Sequence, residues 1–487
     1  MKRSSLLRTL SAFALCLLAS TLLAPSCNPP QGTGPTPPAP PSRYRPLRAE
    51  GRWLRDAQGR AVFLRGYNYS HLSKTPPFTS WIAEEHFDRL VSMGANCVRL
   101  LVIWEALEPA EGTYDESYLR KMEEVVGWCE KRGIWVILDM HQDLWARPFG
   151  GDGAPKWATK DDLVDPNVLL EPWGLTYFTE EVRANFDRFW NVDAFQAKFR
   201  RAWATVVRRL GKSPTVIGYD LFNEPSPGTA RPDRFEPDLL KPFYEKLIAE
   251  IRAIDPDRIV FVEPGIQAST GLPSFLPPMK EKNLAYAPHF YEPSVQFGMP
   301  YPGQWPSAVS YARMVAEASV LEMPLVLGEW GTWLDIPDSV PYIRDQLELQ
   351  ESLLVPGALL WNFDPDPDSS PTLEKDRFDP FNKDGSERPA LALLDRPYPE
   401  RVPGEPVAFG FDTTTRVFRL EWETPATGTP GAPSTIHLPA RHYPNGFTVA
   451  SSDRNGTWRW TFDPARRTLS VWADPTAARH AIRVTPK

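Results

Sequence analysis

From Trp53 to about Leu394 the chain repeats one pattern, a short apolar run followed by a longer amphipathic stretch. The apolar runs fall at Val62–Tyr67, Cys97–Val102, Trp135–Met140, Val216–Phe222, Ile259–Val262, Leu284–Pro288, Leu325–Gly328 and Ala358–Trp361. Helical periodicity fills most intervals, at Glu84–Met93, Ser117–Arg132, Val192–Leu210, Leu239–Ile254 and Pro306–Val320. Buried strands alternating with amphipathic helices read as parallel βα units. Eight such units fit an α/β fold of the (β/α)8 TIM-barrel type. An open doubly wound sheet is the rival, and it would usually carry a Gly-rich phosphate turn after its first strand. RGYNYSH, which runs through the first strand and just past it, offers no such turn.

The pattern changes after about Pro399. VFRLEWE, TWRWTF and TLSVWA alternate apolar and polar residues, and turn-rich segments such as ETPATGTPGAPS separate them. This predicts an antiparallel β-sandwich domain over 399–487, following a barrel over 47–398. The sandwich is read as structural, because most of Trp422, Trp458, Trp460 and Trp472 fall at core positions; a carbohydrate-binding role is the alternative.

Ahead of the barrel, residues 1–27 read as an export signal. Lys2, Arg3 and Arg8 precede an uncharged, mostly apolar run at Leu10–Ala24, too short to span a bilayer. Cys27 follows directly, which resembles a bacterial lipoprotein signal whose Cys becomes the lipidated first residue. Cleavage near Ser26 and release as a secreted protein is the other reading. Both place the chain outside the cytoplasm of a bacterial cell, as an outer-membrane or periplasmic lipoprotein or a secreted protein. Residues 28–46 form a Pro-rich linker, stiff and coreless. With Cys27 lipidated, Cys97 and Cys129 remain, and both are expected as buried free thiols.

Charge narrows the partners. Lys and Arg number 54 against 61 Asp and Glu, a net charge of -7. A nucleic-acid partner would want a basic surface, so none is expected. The chain has 18 Trp, enough for a core and for sugar-binding faces.

In a βα barrel, chemistry collects at the C-terminal strand ends. Here those ends carry Arg99, His141, Asn223 with Glu224, His289 with Tyr291, Glu329 and Trp361. Glu224 and Glu329 are carboxylates on different strands, and a facing pair is what glycoside hydrolysis requires: one protonated, one ionised. Asn223 is placed to bind a sugar 2-hydroxyl, Arg99 and Tyr291 to hold Glu329 ionised, and Trp361 to offer a flat face to a sugar ring. Asp139 and Asp220 read as supporting acids, Glu263 stays open for substrate contact, and His71 and His86 read as local. The scattered His residues lack the carboxylate spacing of a metal site, so neither metal nor other cofactor is expected.

This ordered set resembles glycoside hydrolase family 5, a cellulase-like family of retaining enzymes on (β/α)8 barrels. The resemblance implies that Glu224 is the acid/base and Glu329 the nucleophile, with Arg99, His141, Asn223, His289, Tyr291 and Trp361 around the substrate. A narrower likeness is to the endoglycoceramidases of that family, which cut between an oligosaccharide and ceramide. It rests on SKTPPF, WEALEPAEGTYDESYL, LDMHQDLW, GAPKWA, NFDRFWN and RPYPERVPG. It implies that Lys74, Asp143 and Trp190 contact sugar. The sequence departs from that group at Phe78 and in DRFDPFNKDGS after Trp361.

The aromatic-rich segment from Asp143 to Trp190 is expected to fold as a wall of the cleft, since disorder avoids such residues. The leading reading is thus a monomeric retaining β-glycosidase acting on glycolipid, close to a membrane surface if a lipid anchor is present. A β-glucanase, or a steryl or ceramide β-glucosidase, is the alternative, with a β-glycan or monoglucoside as substrate. A binding protein on an inactive barrel is disfavoured because both carboxylates are present.

Overall fold

A computed structural model describes residues 47–160, 169–170, 173–364, 377–424 and 431–487. The export signal and the Pro-rich linker lie outside the described residues. Eight parallel strands form the barrel: β1 (Leu64–Tyr69), β2 (Cys97–Ile103), β3 (Trp135–His141), β4 (Val216–Asp220), β5 (Ile259–Val262), β6 (Leu284–Tyr286), β7 (Val326–Trp330) and β8 (Gly357–Leu360). Their order is β7-β8-β1-β2-β3-β4-β5-β6. Single parallel bridges, Tyr286 with Leu325 and Phe290 with Trp330, close the ring between β6 and β7. The barrel is as the sequence predicts.

Residues two apart on a strand share a face, and this carries the barrel interior up into the site. The inward face of β3 runs Trp135, Ile137, Asp139, His141. On β2 it runs Cys97, then Arg99; on and beyond β5 it runs Ile259, Phe261, Glu263; on and beyond β6 it runs Ala285, Ala287, His289. The apolar members meet Leu64, Ile217, Val326 and Leu359 in one buried plug. The polar members open above it. A second, larger core lies between the strands and the helical ring. Cys97 and Cys129 are buried free thiols, as expected.

One helix carries both of its end signals in the sequence. The helix Glu116–Arg132 starts on Asp115, whose carboxylate accepts from the Ser117 and Tyr118 amides, and stops at Gly133 with φ 78°. Val192, expected to open a helix, instead breaks two consecutive ones, Glu180–Asn191 and Asp193–Leu210.

The sequence places residues 47–62 in the barrel domain, and the structure corrects this. Arg48–Glu50, Trp53–Arg55 and Ala61–Val62 join a seven-stranded sheet with Tyr398–Val402, Ser434–His437, Thr468–Trp472 and Arg459–Asp463. Val62 pairs with Arg401 across the two ends of the chain. Without this hairpin the strand Tyr398–Val402 would present an open edge. A four-stranded antiparallel sheet, Glu405–Asp412, Val417–Glu423, Arg479–Pro486 and Phe447–Ser451, completes the sandwich. Trp53 and Phe63 pack in its core beside Trp422 and Phe409. Trp422 and Trp458 are buried; Trp460 packs at the core margin.

Gly66 shows how tightly β1 and β2 meet, since a Cβ there would lie 1.7 Å from the Cys97 carbonyl oxygen. Gly127, in a helix, has nothing within 4 Å of its would-be Cβ. Gly66→Ala should therefore cost about 1–3 kcal/mol or more and lower the melting temperature. Gly127→Ala should raise stability by up to about 1 kcal/mol. Thermal melts followed by circular dichroism would check both, and an unchanged Gly66→Ala melt would contradict the packing described.

Candidate active site

Arg99 is fully buried at the centre of the polar layer. Its Nη1 donates to Glu329 Oε1 at 2.8 Å and to Asn68 Oδ1 at 3.0 Å. Its Nε donates to Asp220 Oδ2 at 2.8 Å. Its Nη2 donates to Glu263 Oε1 at 2.8 Å and Asn223 Oδ1 at 2.9 Å, and lies 3.0 Å from Asp139 Oδ1. Burial alone would lower its pKa, but the carboxylates of Asp139, Asp220, Glu263 and Glu329 raise it well above the ordinary value. Burial and the Glu263 charge in turn push Asp220 upward from the usual carboxylate range, against the opposing pull of Arg99.

The two glutamates differ in their surroundings. Burial raises Glu224 to about 7, against the opposing pull of His289, whose Nδ1 sits 3.0 Å from Oε1. Burial would raise Glu329 too, but His289 and Arg99 outweigh it and hold the carboxyl below its ordinary value. Tyr291 adds a hydrogen bond from its hydroxyl to Glu329 Oε2 at 2.7 Å. A carboxylate oxygen of Glu224 and one of Glu329 lie within 4.8 Å of each other, with His289 between them in reach of both. Glu224 has φ 42°, in the left-handed region that non-glycine residues seldom occupy. Its amide donates to Glu263 Oε2 at 2.8 Å, which holds the backbone in that position.

The ends of β3 and β4 are latched by amides. Gln142 Nε2 donates to the Asn223 carbonyl at 2.8 Å and the Glu224 carbonyl at 3.1 Å; Asn223 Nδ2 donates to the Gln142 carbonyl at 3.0 Å. One Asn223 amide hydrogen remains for a ligand. On the far side of the rim, Lys74 is ion-paired to Asp143 and its ammonium lies 4.3 Å over the Trp361 ring. The His141 ring is parallel to that of Trp361 at 5.5 Å, and its Nδ1 lies 2.7 Å from Asp139 Oδ2. Burial would depress His141, yet Asp139 lifts it to about 10. Burial would raise Asp143, but Lys74 holds it far below the usual range.

Of the residues expected from sequence, Lys74, Arg99, His141, Asp143, Asn223, Glu224, His289, Tyr291, Glu329 and Trp361 meet in one network. Trp190 is the exception. Its helix turns Val182, Phe186, Phe189 and Trp190 inward at helical spacing. The indole packs against Phe189, Phe222, Phe235 and Phe243, and its N–H donates to the Ser226 carbonyl at 2.8 Å. It is 5 % exposed, a core residue that stiffens the wall without presenting a face to sugar. Asp139 and Asp220 are supporting acids, as read. Glu263 supports Glu224, Arg99 and His289, the last at 3.3 Å, and is buried beneath them. His71, read as local, belongs to the site margin: its ring meets Trp361 edge-on at 6.4 Å, and burial and Lys74 depress it to about 3. Gln142 and Asp152 carry no sequence reading of their own, and Tyr177 none beyond its place in the aromatic-rich segment. Gln142 is flagged only by its place between His141 and Asp143. Nothing local marks Tyr177, whose hydroxyl reaches Asp143 Oδ1 at 3.4 Å.

Among the described residues, three sets of side chains are close enough to share a cation: His141, Asp143 and Asp152; Glu224, His289 and Glu329; Asp139, Asp220 and Glu263. Protein cations outside each set already stand against it: Lys74 against Asp143, Arg99 against Glu329, and Arg99 again against Asp139, Asp220 and Glu263.

A paired acid and carboxylate on a (β/α)8 rim match what comparison with known proteins finds. The profile of the cellulase family, glycosyl hydrolase family 5, covers residues 55–343, and that of the glycoside hydrolase family 5 C-terminal domain covers 396–485. The chain belongs to glycoside hydrolase family 5. It is 28% identical to endoglycoceramidase I of Rhodococcus hoagii over 88% of this chain and 86% of that one. Among solved structures it resembles endo-glycoceramidase II from Rhodococcus sp. as a lactosyl-enzyme intermediate (30% identity, TM-score 0.77). It also resembles the same enzyme in complex with ganglioside GM3 (29% identity, TM-score 0.79). Each comparison covers 89% of this chain and 99% of the other.

Within this family 5 site, Glu263 carries a prediction. Glu263→Gln keeps the shape but sets an amide against the Arg99 and Glu224 donors. The Glu224 carboxyl then loses its seat, and kcat on an aryl β-glycoside should fall about ten- to a hundredfold with KM changed less than about threefold. Steady-state kinetics beside a thermal melt would check it; an unchanged kcat would mean Glu263 only fills space.

Proposed function

We propose that this chain is a retaining β-glycosidase that releases the glycan of a glycosphingolipid from its ceramide, with Glu224 as acid/base and Glu329 as nucleophile. One observation carries the reading: an oxygen of each carboxyl lies within 4.8 Å of the other, and their surroundings set their proton affinities apart. Retaining enzymes need such closeness, whereas an inverting pair stands about 6.5–9.5 Å apart to seat a water. Glu224 gives its proton to the glycosidic oxygen as Glu329 attacks the anomeric carbon. Arg99 and Tyr291 hold the attacking carboxylate ionised and oriented. Ceramide leaves, Glu224 takes a proton from water, and the second displacement returns the original β configuration.

The lipid end of the substrate is supported by likeness and by surface. Relatives of this length act on glycosylceramides by name, and one binds a ganglioside. The wall after β3 leaves Phe178 72 % exposed, with Leu175 also open, beside the Tyr177 that touches Asp143. We also place the protein outside the cytoplasm, held by Cys27 to a membrane. Metabolic palmitate labelling that is lost in Cys27→Ala would support this, and unlabelled wild type would oppose it.

Glu329→Gln should lose about a thousandfold or more in rate while remaining folded. Glu224→Ala should keep turnover of a dinitrophenyl glycoside and be rescued by azide. Azide rescue of Glu329→Gln alone would exchange the two roles.

The pH profile follows from the same pair. Protonated Glu224 is the active form in the first step, so kcat/KM should fall as pH rises through about 7. Glu329 must be ionised, so the acidic limb should lie below 4.5. The two carboxyls titrate as a pair. In Glu224→Ala the alkaline limb should vanish for an activated substrate; a limb that persists belongs to another group.

Lactosyl ceramide, glucosyl ceramide, steryl glucoside and cello-oligosaccharide, compared by mass spectrometry of the products, decide the substrate. Intact disaccharide released from lactosyl ceramide at much the highest kcat/KM is the expected result. Equal cleavage of cello-oligosaccharide would make the enzyme a β-glucanase.

A further inference from the structure

The wall after β3 turns back on itself within GGDGAP. The Asp152 amide donates to the Asp143 carbonyl at 2.9 Å, and the Asp143 amide to the Asp152 carbonyl at 3.3 Å. Two glycines make this approach possible. A Cβ on Gly151 would lie 1.7 Å from the Asp143 carbonyl oxygen, and Gly153 has φ 108° with its would-be Cβ 2.4 Å from Gln142 Cβ. The turn drives the Asp152 side chain inward until it is 1 % exposed. Neither of its carboxyl oxygens has a hydrogen-bond partner among the described residues. Lys74 Nζ stands 3.9 Å from Oδ2, and makes its close contact with Asp143. The other titratable groups facing Asp152 are Asp143, His141, Asp139 and Tyr177.

A buried carboxyl with no partner is uncommon in a resting protein. Here the partner is one small movement away. Lys74 is paired to Oδ2 of Asp143, so a sugar hydroxyl that takes that oxygen competes with the ammonium for it. A buried ammonium left without a carboxylate is strongly unfavourable. Asp152 is too deep to reach sugar but close enough to take Lys74.

We propose that Asp152 is a positioning residue: the reserve carboxylate that receives the Lys74 ammonium when the glycone engages Asp143. This rests on the reading of the rim as a sugar site given above. It has a protonic consequence. Burial, with Asp143 and Asp139 nearby, raises Asp152 to about 8 despite Lys74 and His141. It therefore enters the cycle protonated and gives its proton to bulk water as Lys74 closes on it. Glycone binding then releases a proton, so affinity rises with pH until Asp152 itself ionises near 8.

The test uses lactose as a competitive inhibitor of 2,4-dinitrophenyl β-lactoside hydrolysis between pH 6 and 8.5. In wild type the inhibition constant should fall several-fold from pH 6 to 8, up to about fiftyfold if one proton is released completely from a group titrating near 8. Asp152→Asn should bind lactose several-fold more weakly at pH 8, with a shallower dependence. The Glu224 contribution is common to both proteins and drops out of the difference. In a Lys74→Met background Asp152→Asn should change nothing further, which a merely structural Asp152 would not obey. If Asp152→Asn fails to fold, Lys74→Met alone must remove the same part of the slope. Wild-type constants and slope in a folded Asp152→Asn would overturn the inference and leave the glycosidase reading standing. A wild-type enzyme that neither cleaves the aryl lactoside nor binds lactose would overturn both.

Discussion

The site is organised around a guanidinium with no access to water. Arg99 reaches four carboxylates and two asparagine oxygens, and these come from β3, β4, β7 and the ends of β1, β4 and β5. The planar fork fixes where each acceptor sits, which a lysine could not do. An acidic layer of this density would repel itself apart, or take up protons, without that charge at its centre. Removing one partner of such a buried set typically costs about 3–5 kcal/mol. The position of Glu329 is thus a property of the barrel interior more than of its own loop.

The other half of the rim depends on a different device. Lys74, Trp361, His141 and Asp143 hold one another by charge and ring contact, and the segment that backs them is packed by aromatic side chains. Trp145, Phe186, Phe189 and Trp190 form a continuous buried cluster with Phe199, Phe222 and Phe243. The described parts of this excursion join the main core through their apolar side chains.

Much of this was legible in sequence because period two on a parallel strand is a strict rule. Once β3 is found, Asp139 and His141 must share a face with Ile137, and Cys97 predicts the direction of Arg99. The order of strand-end residues did the rest. Trp190 shows where that reasoning weakens: an indole in an aromatic-rich excursion serves packing or recognition, and only the helix register separates the two. His71 and Asp152 were missed because their roles come from neighbours distant in sequence, Trp361 and Lys74. The sandwich boundary was misplaced because strand pairing between opposite ends of a chain leaves no local trace.

That last pairing sets a timetable for making the protein. Val62 finds its neighbour Arg401 only after the whole barrel sequence has been synthesised. At about 5–20 residues per second the first hairpin waits on the order of tens of seconds for its partner strand. During that interval Trp53 and Phe63 have no core to enter, since Phe409 and Trp422 have yet to be made. The N-terminal strands are the first described parts to be synthesised, and their partners are among the last. A chain that stops before Tyr398 leaves the Ala61–Val62 edge unpaired where the sandwich should be.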